Sequence, residues 1–427
     1  TNNIFKKDNT LRLKPLAETQ PVKTKKNRVY QHFKLSSDGE NAAYVSNIMG
    51  QYRVFIYNRS TGERKKIYKA EHKLERIPDL SYPALAWHPT GEQLSFIIEK
   101  KDRLWIFSYD LAKKKITKRP VFKVEKVLDF SYSPDGQKIV FSGVNKGQGD
   151  IYVYYVIGAR QEQITNDIYD DINPHFAEGD RKIVFASNRL SDTLLTQTKI
   201  ELLNENKDIF VYNLFRHSRI LERITNTPKV NETSPYEYDK GEYTFLGNYN
   251  NITNRFVATY DSTIAQIDTT VHFRYYANTL ALTNLNRDIL YYDYDAYNKE
   301  YSLMTFECNK YTFYTGHKSD DEPFRIDQLP PSTLKQAQNY KTLFNSLDTS
   351  ILNPDIKLEE STTGVGILNK DGITYTKEIY RIDEFPKDED QFAQNIGDTD
   401  TSLVSIDGEA PVSYEEEQNL TQTGGVK

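Results

Sequence analysis

In four places a short polar turn leads into the same strand pattern, at intervals of about 40 to 50 residues. The clearest copy is Ser133-Pro134-Asp135-Gly136 before Ile139-Val140-Phe141-Ser142. The others are Ser36-Ser37-Asp38-Gly39 before Ala42-Ala43-Tyr44-Val45, and His88-Pro89-Thr90-Gly91 before Leu94-Ser95-Phe96-Ile97. A divergent copy, Glu178-Gly179-Asp180 before Ile183-Val184-Phe185, inverts the Asp-Gly order. A fixed interval of this length marks a chain built from one repeated supersecondary unit.

Each unit continues in the same way. In the third, Ile139-Val140-Phe141 is followed by Asp150-Ile151-Tyr152-Val153-Tyr154 and then Gln163-Ile164-Thr165, and Leu128-Asp129-Phe130 precedes the turn. Short strands separated by turn residues form antiparallel meanders. An isolated four-stranded sheet exposes both faces, and stacking such sheets in a closed ring buries them. The content of 31 Tyr and 21 Phe against 2 Met suits strands better than helices. Two less regular units follow, at 234–283 and 288–318. The last is one strand short, and Thr10-Leu11-Arg12-Leu13-Lys14 is expected to complete it. The expectation is an all-β, six-bladed β-propeller with four-stranded antiparallel blades over 31–320. An N-terminal segment (1–30) closes its last blade and a C-terminal extension (321–427) follows.

Three departures from the repeat are expected. The fourth unit carries an insertion over Leu190–Asn206. A short helix is expected from Ser332 through Leu334, Ala337, Tyr340 and Phe344, followed by a hairpin around Asn369-Lys370-Asp371-Gly372. Residues 381–427 hold 12 acidic and 3 basic residues with almost no apolar run, too little to bury a core, and read as an irregular linker or partner-binding tail.

The repeat over 133–165 resembles that of the TolB-like propellers of bacterial envelopes, the WD40-like Tol repeat. The resemblance covers 31–225 well, 226–318 loosely and the tail not at all. It implies a periplasmic or cell-envelope binding scaffold, in a family that extends to multidomain envelope proteins of the Bacteroidota. The same repeat also occurs in propellers attached to peptidases.

Charge and motifs narrow the function classes. Residues 1–130 carry a net +13 and the remainder −18. The basic residues concentrate at hairpin ends such as Arg64-Lys65-Lys66, without a nucleic-acid reader motif. No apolar run approaches the roughly 20 residues of a membrane-spanning helix. The single cysteine, Cys308, does not identify a redox compartment, and the chain, which opens on Thr1, reads as a processed product or a piece of something longer. There is no Gly-x-Ser-x-Gly elbow and no His-Glu-x-x-His. The seven histidines are scattered, and His88 and His175 read as structural. Gly143, Gly147 and Gly149 form a hairpin loop rather than a phosphate loop. Asp398, Asp400, Ser402 and Glu409 match calcium-hand spacing, but Leu403 replaces the required glycine, so no metal or cofactor is assigned. Trp87, Tyr132 and Phe176 read as packing between blades.

The expected function is therefore a non-catalytic scaffold for protein partners in an envelope assembly, associated with an outer-membrane complex, without nucleic acid or a membrane span of its own. The alternative is a propeller segment of a larger peptidase or multidomain envelope protein that gates or positions substrate. The candidate binding residues, placed at a channel mouth, are Tyr169, Asp170, Asp171, Asn231 and Glu232. Asp170-Asp171 is also open to a plainer reading, a turn pair that satisfies local backbone donors.

Overall fold

The computed structural model describes residues 22, 24–26, 28–70, 82–194, 205–267, 271–330, 332, 365–370 and 373–378, with backbone alone for 262–276 and for the last two segments. It divides into two compact units, Thr1–Phe344 and Asn345–Lys427.

The first unit is a six-bladed propeller of antiparallel sheets. Blade one contains β1 (Val29–Leu35), β2 (Asn41–Ile48), β3 (Gln51–Asn58) and β4 (Arg64–Lys69). Blade two contains β5 (Ala84–Trp87), β6 (Gln93–Glu99), β7 (Leu104–Asp110) and β8 (Lys115–Pro120). Blade three contains β9 (Lys126–Tyr132), β10 (Lys138–Asn145), β11 (Gln148–Tyr155) and β12 (Arg160–Gln163). Blade four contains β13 (Asp171–Ala177), β14 (Lys182–Ser187), β15 (Asp208–Asn213) and β16 (Glu222–Arg223). In blade five, β17 (Glu232–Asp239), β18 (Glu242–Gly247), β19 (Asn254–Ile267) and β20 (Val271–Ala281) are in order. Blade six contains β21 (Tyr291–Asp295), β22 (Glu300–Glu307) and β23 (Lys310–His317). A two-residue strand, β24 (Phe324–Arg325), then returns to pair with β20.

Central strands such as β2 are buried along nearly their whole length because both faces meet neighbouring blades. The outer strands β4 and β8 are exposed and rich in Lys and Arg. Arg64, Lys65, Lys66, Lys69, Lys115, Lys118 and Arg119 thus place positive charge on sheet edges, where it discourages edge-to-edge pairing.

The repeated turn has a physical cause. Ser133 Oγ accepts the Lys138 N–H (2.9 Å), Asp135 accepts the Gln137 N–H (2.9 Å), and the Gly136 N–H closes on the Ser133 carbonyl (2.8 Å). Ser36, Asp38 and Gly39 repeat the same bonds. Gly136 sits at φ +70°, and a Cβ there would lie 2.3 Å from His88 Nε2 of the preceding blade's turn. Glycine is required both by the turn and by the approach of the next blade.

The Asp-Ile-Tyr and Ile-Thr pairing also recurs. Thr165 Oγ1 accepts the Ile151 N–H (2.9 Å) and donates to Asp150. Thr225 does the same for Ile209, and Thr283 for Arg255. The threonine satisfies a strand amide where the outermost strand ends.

Blade six closes against blade one. Ser302 Oγ donates to the Phe33 carbonyl, Arg59 pairs with Glu300 (2.8 Å), and Phe33 stacks on Phe313 at 4.5 Å. Thr24 Oγ1 donates to the Tyr311 carbonyl on β23 (2.7 Å), so this part of the N-terminal segment lies against blade six. In blade five a buried Arg255 stands where blades three and four have Ile151 and Ile209. It forms a two-pronged pair with Asp321 (3.0 and 2.9 Å) in the segment that returns from β23. The hairpin β19–β20 continues past Tyr260, whose N–H bonds to Gly241 in the β17–β18 turn, and so projects from the face carrying the repeated turns.

The second unit contains a hairpin of β25 (Val365–Lys370) and β26 (Ile373–Glu378), with Lys370 opposite Ile373, at the position expected from Asn369–Gly372. Thr10–Lys14, the centre of the 190–206 insertion, the expected helix beyond Ser332 and the acidic tail lie outside the described residues. Among those described, no helix is long and apolar enough to cross a membrane, which says nothing of a β-barrel.

Candidate functional site

The five residues singled out from sequence lie where successive blades join. Asp171 begins β13 and is fully buried; both its carboxylate oxygens accept from Arg189 Nη2 (2.8 and 2.7 Å). Arg189 also reaches Asp167 (3.2 Å) and lies over the Tyr169 ring (5.4 Å). Asp170 is exposed, and its Oδ1 accepts the Gly149 N–H of blade three (3.3 Å). Asn231 accepts the Lys207 N–H (3.2 Å). Glu232 begins β17, is fully buried, and accepts from Thr225, Thr227 (2.9 Å) and Tyr249 (2.6 Å). Burial pushes its carboxyl up to about 7 despite these donors. The Asp170, Asn231 and Glu232 side chains tie adjacent blades together, Asp171 is held within blade four by Arg189, and the two axial cavities are lined by other residues.

Those axial residues come from the inner strands. Lys34 of β1 is buried between Asp129 of β9 (3.7 Å) and Asp293 of β21 (3.6 Å). Burial opposes the lysine's charge, but the two carboxylates outweigh it and hold the ammonium's pKa above its usual value. Burial pushes Asp293 up to about 6, with Lys34 and the Tyr236 hydroxyl (3.1 Å) opposing. Tyr236 also packs against His175, with ring centroids 3.9 Å apart. His175 is itself buried and lowered to about 4, so its ring is neutral at physiological pH. Nδ1 lies 3.3 Å from the Asn173 carbonyl, and Nε2 makes no well-formed hydrogen bond.

This cluster separates two cavities. One, about 440 Å³, opens among the repeated turns and draws on all six blades, including Trp87, Tyr132, Phe176, Tyr236, Tyr294 and Tyr297. Trp87 and Tyr132 do bridge blades, through Nε1 to the Lys34 carbonyl (3.0 Å) and the hydroxyl to Ser95 (2.8 Å), and they line this cavity as well. The other cavity, about 500 Å³, lies toward the opposite side and is bordered by His32, Leu128, Asn173 and Ser234. Each of these four falls where the register of an inner strand slips by one residue. His32, Asn173 and Ser234 have φ of 49°, 50° and 51°. Bulges of this kind re-aim side chains and recur near functional sites.

Sequence reasoning passed over Lys34, Asp129, Tyr236 and Asp293. A signal was present in the parallel runs Asp171-Ile-Asn-Pro-His175 and Glu232-Thr-Ser-Pro-Tyr236, and in charged residues midway along strands with otherwise apolar faces. Among the described residues no group of three or more His, Cys, Asp or Glu is arranged to hold a metal.

No family model matches the chain, and no curated protein matches it. Solved structures to which it is similar include a putative TolB from Agrobacterium tumefaciens, 14% identical, covering 65% of this chain and 89% of that one, with a TM-score of 0.45. TolB from Acinetobacter baumannii is 13% identical, covering 70% of this chain, with a TM-score of 0.40; the chain spans 56% of its length. The β-propeller domain of the Trilobed protease from Pyrococcus furiosus is 9% identical, covering 71% of this chain and 96% of that one, with a TM-score of 0.42. At these identities the likeness concerns the fold, which the strand pairings establish independently.

Proposed function

We propose that this propeller is a non-catalytic docking platform for a protein partner, with the turn-side mouth as its contact surface. One observation carries the reading: five of the six blades bring aromatic residues, and blade one brings Lys34, to a single open cavity whose floor is a buried ion-pair cluster. Tyr and Trp supply large contact area at little entropic cost and are enriched where proteins meet. The axial carboxylates are tied to Lys34 and Tyr236, an arrangement that suits a rigid floor better than acid–base chemistry. Placement in a bacterial envelope rests on the resemblance of residues 133–165 to the Tol repeat.

The test is site-specific photocrosslinking in native envelopes. A photoreactive residue at Tyr297, 85% exposed on the mouth rim, should capture one defined protein. The same group at Met49, 84% exposed in the β2–β3 turn, serves as the control. Equal capture at both positions, or none at Tyr297, would refute the docking role.

A further inference from the structure

We propose that the mouth cavity receives the cationic side chain of a lysine or arginine presented by the protein partner; this rests on the docking reading above. The charges lining the cavity are Lys34, Glu237, Asp293 and Asp295. Lys34 is already held between Asp129 and Asp293, so it offers little to an incoming anion. Asp295 accepts the backbone N–H groups of Tyr297 (2.8 Å) and Asn298 (3.4 Å) and a hydrogen bond from the Ser37 side chain, and Glu237 accepts the Glu178 N–H (3.0 Å). Neither makes an ion pair among the described residues. The nearby Lys182 is engaged by Glu178 (2.8 Å) and Glu222 (3.1 Å). Burial pushes both carboxyls above their ordinary range, and a cation would relieve that imbalance.

The walls suit the same ligand. Trp87, Tyr132, Tyr236 and Tyr294 have their polar atoms bonded within the propeller, to the Lys34 carbonyl, Ser95, Asp293 and the Tyr238 carbonyl. What they offer a ligand is ring surface, which attracts ammonium and guanidinium groups. His175, neutral and with Nε2 lacking a well-formed hydrogen bond, adds no competing positive charge. A volume of about 440 Å³ lies within the ordinary range of ligand pockets, about 300–1,000 Å³.

Trp87 is one of two tryptophans, so Trp105→Phe leaves a single reporter in the mouth. This variant is titrated with short capped peptides identical except for a central Lys, Arg, norleucine or Glu, and Trp87 emission is followed. Lys and Arg peptides should bind at least about tenfold more tightly than norleucine, a difference of about 1.4 kcal/mol. Glu237→Gln with Asp295→Asn should remove that preference, and the unliganded emission spectrum of this variant checks that the ring is intact. Equal binding of all four peptides would overturn the cation assignment and leave the docking role standing. Binding by none, with capture at Tyr297 retained, would also overturn the inference alone. Loss of both would overturn the docking reading with it.

Discussion

Glu232→Gln separates a structural clasp from a ligand-binding carboxylate through the pH dependence of stability. The side chain is fully buried, accepts from Thr225, Thr227 and Tyr249, and has the Asp208 charge nearby. Burial is the largest effect on it, raising the carboxyl from 4.5 to about 7. Because the folded value is the higher one, the folded protein holds the proton over a window where the unfolded chain has lost it. The group's contribution is therefore fully present below 4.5 and is lost as pH rises to about 7. At about 1.4 kcal/mol per pH unit, the wild type loses about 3 kcal/mol across that window from this group. Glutamine cannot ionise, and its amide also meets three donors, which costs about 1–3 kcal/mol at every pH. The offset cancels when slopes are compared. Urea unfolding of both proteins from pH 4.5 to 8.5 should show the variant gaining about 3 kcal/mol relative to wild type by the alkaline end. Parallel stability curves would refute the assignment of Glu232 as a buried, protonatable clasp.

Lys34→Met should destabilise the ring by about 3–5 kcal/mol by stranding Asp129 and Asp293, and adding Asp129→Asn with Asp293→Asn should recover much of the loss in chemical denaturation. Gly136→Ala should cost about 1–3 kcal/mol more than Gly158→Ala, because both have positive φ but only Gly136 faces a neighbouring blade, at His88. His175, lowered to about 4 by burial, should show an imidazole nitrogen resonance that titrates near 4 rather than 6.5. Since its folded value is the lower one, its stabilising contribution is present above 6.5 and is lost as pH falls toward 4.

Much of the fold could be read from local pattern, since each blade satisfies most of its own hydrogen bonds within about 40 residues of chain. The turn serines and glycines, the Asp-Ile-Tyr strand and its closing Ile-Thr recur because every blade faces the same local requirements. The return of Phe324–Arg325 to blade five was not legible. It depends on Arg255 finding Asp321, 66 residues away, and no short-range periodicity records such a partner. The candidate site was read less well, for a related reason. Asp170-Asp171 and Asn231-Glu232 occupy the start of inner strands, as expected, but Arg189 and the Thr225–Thr227 pair turn the carboxylates of Asp171 and Glu232 inward. Neither carboxylate of Asp170-Asp171 serves a neighbouring turn amide: Asp171 is held by Arg189, and Asp170 accepts the Gly149 N–H of blade three.

The sequence by itself determined the repeated blade, the number of copies and the turn chemistry, because these are settled by contacts between near neighbours in the chain. Only the tertiary structure decided what meets on the axis. Lys34, Asp129, His175, Tyr236 and Asp293 come from five different blades and meet because blade six packs back onto blade one. Which inner-strand residue faces the axis depends on single-residue bulges at His32, Leu128, Asn173 and Ser234. A slip of one residue moves every later side chain to the other face of its strand.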